Sequence, residues 1–433
     1  MRHAFLWGRL LIGGGLLTRL LDVQRPARSL VLSLLVTLSL HAQTFTQRGY
    51  LETTAVAYPQ TAPNDSGHVI GEALFRYEAF YKPVPSLRFA GALDARADTH
   101  QETARTVDLS GDLSWWDRGR QRPAFAVRRL SVTYTRGKLT IEAGKQFVRW
   151  GKADVLNPTD RFAPRDFVNV IDTDFLGITA ARLTYGTQSD TIDVVVAPRL
   201  TPSRVPLLNQ RWAVLPPGVP IHELAPDLPG APQYGARWNH IGRIAEYSLS
   251  FYNGFDNLPL FRAQANFALL RADVQRYYPQ MRMYGADAAI PLGPVSLKSE
   301  AGYFTSTNPQ ADEYLLYVLQ LERQAGEWSF VGGYAGQVVT AHADSLAFSP
   351  QRGFARSLVA RAGYTIDTNR GVALESVVRQ NGNGFLIKPE YTQSIGQHWR
   401  VTAGFAVVRG GAGDFIGQYH RNSHGILAVR YSF

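Results

Sequence analysis

Gly425-Ile426-Leu427-Ala428-Val429-Arg430-Tyr431-Ser432-Phe433 ends the chain, and its reading decides the fold. The stretch alternates in side-chain character and stops on an aromatic, with a second aromatic, Tyr431, two residues earlier. A period of two is the mark of a β-strand, because successive side chains point to opposite faces. The same period recurs upstream. Val69, Gly71, Ala73, Phe75, Tyr77, Ala79 and Tyr81 share one face, while Glu72, Arg76 and Glu78 share the other. Leu87, Phe89, Gly91 and Leu93 alternate with Arg88, Asp94 and Arg96; Trp399, Val401, Ala403, Phe405 and Val407 alternate with Arg400 and Thr402. Segments of about ten residues are long enough to cross a bilayer as tilted strands.

A terminal Phe with an aromatic two residues before it resembles the closing strand of bacterial outer-membrane barrels. That resemblance implies recognition of Phe433 by the barrel-assembly machinery. Turn lengths make a separate argument. Short turns fall at Lys82–Ser86, Arg136–Lys138, Gly186–Asp190, Ile241–Arg243, Pro291–Pro294, Gln324–Glu327, Asp367–Gly371 and Gly396–His398. Longer connections fall between them, the main ones at 98–123, 148–174, 199–232 and 254–280. Short turns on one side and long loops on the other are the habit of outer-membrane barrels. The sequence therefore predicts an all-β, transmembrane antiparallel β-barrel of about eighteen strands, or sixteen if one hairpin is misassigned. A soluble sandwich or propeller is the rival, but no 40–50-residue blade repeat is present.

Composition agrees and removes other classes. The 433 residues are 45% hydrophobic and 18% charged, with 12% aromatics and no cysteine. Disorder is excluded for the bulk of the chain. Disulfide scaffolds, thiolate metal sites, cysteine nucleophiles and iron–sulfur clusters are excluded as well. Arg25 and Arg28 precede the apolar run Ser29–Leu40, followed by His41 and Ala42; this reads as a secretory signal covering 1–42, leaving one barrel domain over 43–433. Residues before about Val23 read as an extension upstream of the true start. The whole chain has a net charge of +10, and removing the leader reduces it to +6.

The remaining charges follow the strand period. On this register the lumen wall carries Arg76, Arg96, Arg182, Lys298, Glu300, Arg361, Arg379, Lys388, Glu390, Arg400 and Arg430. In all, twelve basic side chains share that face with twelve acidic ones. Charges turned toward lipid would cost roughly 2–4 kcal/mol each near the midplane, which fixes the inward face. A balanced wall is not a nucleic-acid signature.

The densest segment runs from Gly144-Lys145-Gln146-Phe147-Val148-Arg149-Trp150-Gly151 to Asn157-Pro158-Thr159-Asp160. It is similar to the signature of poorly characterised porin-like outer-membrane β-barrels, where a Gly-Arg-Gln-x-x-x-Trp-Gly strand end precedes an Asn-Pro-x-Asp turn. Lys145 replaces the usual Arg. Tyr252–Pro259, Met283–Asp287 and Glu300–Tyr303 are similar to other blocks of that family. The resemblance implies an outer-membrane channel for apolar or carbohydrate-like small solutes, embedded in lipid and lipopolysaccharide. The segment itself is expected to fold into the lumen, with Arg149, Lys152, Asp160, Arg161, Arg165 and Asp166 shaping a constriction. A belt that only buttresses the wall is the plainer reading.

Two other loops are less marked. Leu200–Pro232, rich in proline, reads as an extended outer loop, and Asn257–Gln280 as a short amphipathic helix. No nucleophile elbow, phosphate loop or zincin motif appears, and His420 and His424 read as structural. The sequence thus points to a non-enzymatic channel without cofactor or metal. An outer-membrane enzyme, or a closed structural or export barrel, is the alternative.

Overall fold

The computed structural model describes residues 44–105, 115–154, 156–216 and 218–433. The signal segment 1–42 lies outside the described residues. Eighteen strands form one closed sheet. The first six are Phe45–Ala57, Val69–Val84, Leu87–Asp98, Phe125–Arg136, Leu139–Gln146 and Ile178–Gly186. Asp190–Ala197, Gln233–Ile241, Glu246–Phe255, Gln280–Leu292, Val295–Thr305 and Glu313–Ala325 follow. Trp328–Ala341, Ser357–Thr365, Arg370–Arg379, Gly384–Ile395, Trp399–Gly410 and His424–Ser432 complete the wall. In this order they are numbered β1 to β18.

Each strand pairs antiparallel with its chain neighbours, and β1 closes the ring on β18 from Ala57 opposite Gly425 to Tyr50 opposite Ser432. Eight short turns lie at one end, and Gly137, Gly293, Gly326 and Gly396 take positive φ within four of them, which only glycine adopts freely. The strand count and the positions of the turns match the sequence expectation.

The parity also holds. Phe75, Leu183, Leu249, Leu319, Leu358 and Phe405 stand exposed on the outside, as a lipid-facing belt requires. The opposite parity carries ion pairs across the strands, including Arg76–Asp94, Arg361–Glu375 and Arg430–Glu52. A bulge opposite Ala92 and Leu93 inserts one extra residue into β4. Arg128 therefore reaches the lumen as well as Arg129, and strict alternation did not anticipate it.

Two loop expectations are corrected. Residues 257–280 form no helix: Leu260–Asn266 and Arg271–Tyr277 pair as a hairpin, flanked by Ile221–Glu223 and Leu346–Ala347 in a small four-stranded sheet outside the wall. Spaced aromatics at Phe261, Phe267 and Tyr277 suited either period, and cross-strand pairing won. The first part of the proline-rich stretch, 200–212, is mostly buried rather than extended outside.

Candidate functional site

The turn from β5 into the long loop explains each residue of the motif. Gly144 sits at φ +117, where a Cβ would overlap the backbone of β4. The Lys145 ammonium is fully buried, donating to Asp117 at 2.6 Å and to the Trp115 carbonyl at 2.7 Å. Gln146 donates to the Ala180 carbonyl on β6 at 2.9 Å. With these anchors in place the chain turns inward, and Trp150 donates its indole N–H to Asp193 on β7 at 2.9 Å.

The loop then runs along the inner faces of β7 to β12. Lys152 forms ion pairs with Glu246 at 2.9 Å and Asp287 at 3.1 Å. Glu300, predicted as a wall residue, is the main fastening: it accepts the N–H groups of Lys152, Ala153 and Thr159 and the Thr159 hydroxyl, all within 2.8–3.0 Å. Trp150, Leu156 and Phe162 pack with Tyr252, Met283, Phe304 and Leu316 into a dry core inside the barrel. Phe162 meets Trp150 and Tyr252 edge to face, at 5.3 and 5.1 Å. Glycines on the wall leave space for this contact. At Gly235 a Cβ would stand 2.9 Å from both the Phe162 and Trp150 rings.

The second leg crosses to the other side. Asp172 pairs with Lys388 on β16. Asp174 pairs with Arg128 on β4 at 2.8 Å and approaches Arg76 on β2 at 3.4 Å. Burial alone would raise the Asp174 pKa, yet the pull of Arg128, Arg76 and Arg96 holds it at about 2. Asp172 is lowered in the same way: burial opposes it, and Lys388 and His424 outweigh burial. Phe175 is flanked by two guanidinium groups, Arg149 and Arg165, each 4.2 Å from its ring centroid.

The six residues singled out for a constriction separate by role. Asp160 is buried and accepts the N–H groups of Trp150 and Gly151 at 2.6 and 2.7 Å, so it shapes the loop from within. Asp166 is buried between Arg122 and Arg204, at 3.0 and 3.1 Å. Arg161 donates to Gln351 at 2.8 Å and lies over the Phe304 ring. Lys152 is committed to the wall. Arg149, paired with Asp160 at 3.3 Å, keeps 28% exposure toward the space that remains, and Arg165 donates to Asn157 at 3.1 Å and Thr173 at 3.3 Å within the loop. Burial, and the nearby Arg149 and Arg161, lower the Arg165 pKa to about 10 against the opposing pull of Asp160.

The predicted wall residues divide likewise. Arg182 pairs with Asp193 at 2.7 Å, and Lys298 pairs with Glu322 at 2.5 Å and Asp154 at 3.4 Å, all on the filled side. Arg379 is drawn up to Asp414 and the carbonyls of Gly353 and Ala355. Arg76, Arg96, Arg361, Lys388, Glu390, Arg400 and Arg430 occupy the opposite arc. Sequence reasoning missed Arg128, Asp172 as the partner of Lys388, and the inward apolar set Met281, Met283, Phe304, Tyr314, Leu316 and Val318. The signal for that set was Tyr314–Leu319, an unbroken apolar run where alternation should have shown a polar face.

A closed barrel with a lipid-facing belt and a loop folded into its lumen defines a transmembrane β-barrel of porin architecture. No protein-family model matches the chain, and no curated protein is similar to it in sequence. Solved structures are similar in fold. OccAB4 of Acinetobacter baumannii superposes with a TM-score of 0.55 at 9% identity, covering 90% of this chain and 98% of that one. A BenF-like porin from Pseudomonas fluorescens Pf-5 gives 0.54 at 9% identity, with the same coverage. Pseudomonas aeruginosa OccK5 (OpdH) gives 0.51 at 11% identity, again covering 90% and 98%. The fold is that of bacterial outer-membrane porins and channels.

Proposed function

We propose that the chain is an outer-membrane channel for passive diffusion of small polar solutes. The observation that carries this reading is the uneven filling of the lumen: the first leg of the loop is packed against β7–β12, while across from it part-exposed charges, among them Arg361, Glu375, Asp172 and Asp174, remain inside a closed wall. The loop leg bearing Arg149, Arg165, Asp172 and Asp174 bounds that open side and forms the constriction. Asp160, Asp166, Arg161 and Lys152 hold the loop in shape.

On the open side Arg48, Arg76, Arg88, Arg96, Arg128, Arg149, Arg165, Arg361, Lys388, Arg400 and Arg430 outnumber Glu52, Glu72, Glu78, Asp94, Asp172, Asp174, Glu375 and Glu390. That excess favours anions over cations and polar over apolar solutes. Lipid and lipopolysaccharide surround the belt, and the assembly machinery engages Phe433. Planar-bilayer recordings of the purified barrel test the proposal through its conductance and reversal potential. Replacing 152–166 by a short linker is expected to raise conductance; unchanged conductance and selectivity would remove the loop from the path. A wild-type barrel that never conducts would favour the closed structural alternative.

A further inference from the structure

Above the 148–174 loop lies a second crossing segment that no motif marked. Residues 198–213 leave the end of β7 and turn inward, buried along most of their length. Near their start they are stitched to the loop. The Phe167 N–H donates to the Arg204 carbonyl at 3.0 Å, and the Arg204 N–H donates to the Arg165 carbonyl at 3.0 Å. The Arg204 guanidinium spans Asp117 at 2.7 Å and Asp166 at 3.1 Å. Arg204 is thus a shared rivet between the two segments.

The far end is fastened on the other side of the barrel. Trp212 packs with Val170 against Leu386 on β16, Val408 on β17 and Tyr419. The Arg211 guanidinium lies 3.6 Å over the Tyr58 ring and 3.3 Å from Asp65. The Ala213 carbonyl accepts from Asn64, and the Arg211 carbonyl from Asn422, at 2.9 and 3.0 Å. Tyr58 follows β1 and His424 opens β18, six and seven strands from β7 in a ring of eighteen, so the segment crosses most of the lumen's width.

We infer that 198–213 is a strap that makes a second constriction, in series with the 148–174 loop, and that Arg211 and Trp212 are the positioning residues that hold it across the lumen. The inference rests on the channel reading. A solute entering from the long-loop side meets the strap first and the charged leg of the loop afterwards. Resistances in series add, so relieving the strap raises conductance while the ion preference, set by the lower leg, stays the same.

Single-channel recording on the full-length barrel tests this with four proteins. They are wild type, Arg211→Gln with Trp212→Ala, Trp212→Phe, and a form with 199–213 replaced by a Gly/Ser chain of equal length. Heat-modifiable gel migration verifies that each wall is folded. The expected result is a rise in conductance of about twofold or more for the double variant. A larger rise is expected for the Gly/Ser form, with wild-type behaviour for Trp212→Phe and an unchanged reversal potential throughout. Conductance only in the released forms would also support the strap, as the element that closes the resting barrel. Equal conductance in wild type and folded strap variants would overturn the inference and leave the channel reading standing. Silence in all four would overturn both.

Discussion

The inner faces of β7–β12 and of β14–β18 follow the same alternation, yet they have opposite fates. On the first arc the carboxylates beneath the loop are sealed, the Asp287 side chain 0% exposed and Glu300 1%, while Glu246 and Glu322 nearer the short turns keep 38% and 26%. Across the lumen, Arg361 on β14 and Glu375 on β15 keep 39% and 34% exposure while pairing with each other. The difference lies in what faces each arc. The first meets Trp150, Leu156 and Phe162 of the loop and becomes a protein interior, where a charge has to satisfy several donors at once. The second meets apolar side chains, Val170 and Trp212, only toward its long-loop end at Leu386 and Val408, and its charged side chains beyond them stay part-exposed. A lumen-facing charge is therefore a fastening on one side and a lining on the other.

Changes to the fastening should have the largest effect. Glu300→Ala strands three backbone N–H groups and a hydroxyl, each costing about 1–3 kcal/mol when left buried and unpaired. Conductance should become large and noisy and the unboiled barrel should melt at lower temperature; a quiet wild-type trace would show that the two arcs are equivalent. Gly235→Val drives a side chain into Phe162 and Trp150 and should lift the same leg, read by new protease cleavage within 148–174.

Lining changes should alter selectivity more than stability. Lys388→Glu faces Asp172 and Glu375 with a like charge. The anion-to-cation permeability ratio should fall by about twofold or more, with no change in thermal migration. A large loss of stability would place Lys388 among the fastenings instead.

Acid gives the mildest test. The depressed Asp174 pKa, about 2, means its tether is complete above the unfolded value near 4 and is lost only as pH falls through about 2. Asp172 is lowered in the same direction. Asp174→Asn should therefore change conductance by the same factor at pH 7 and at about pH 4. A factor that shrinks between the two would show that Asp174 is not held ionised by its guanidinium partners.

Much of this was legible in the sequence, because a membrane barrel writes its wall in every second residue. Turn glycines, outward aromatics and inward charges each repeat many times, so single misreadings average out. What fills the wall is written differently. The contacts of Trp150 with Asp193 and of Trp212 with Tyr419 join segments far apart in sequence, and no period encodes them. Arg128 was hidden by one extra residue in β4. The 260–277 hairpin was hidden because a short apolar run suits two periods. The 198–213 strap was hidden because proline content reports a lack of regular structure rather than its location.

The seam between β1 and β18 has a consequence for biogenesis. Glu52 and Arg430 pair across 378 positions of sequence, and the Gly49 and Phe433 backbones exchange two hydrogen bonds of 3.0 Å. Contacts of such sequence separation are the slowest kind to form. The ring cannot shut until β18 meets β1, so before that pairing the sheet carries two open strand edges, the form in which β-proteins aggregate. Closure removes both open edges in one step, and that step depends on the register set by Glu52 with Arg430.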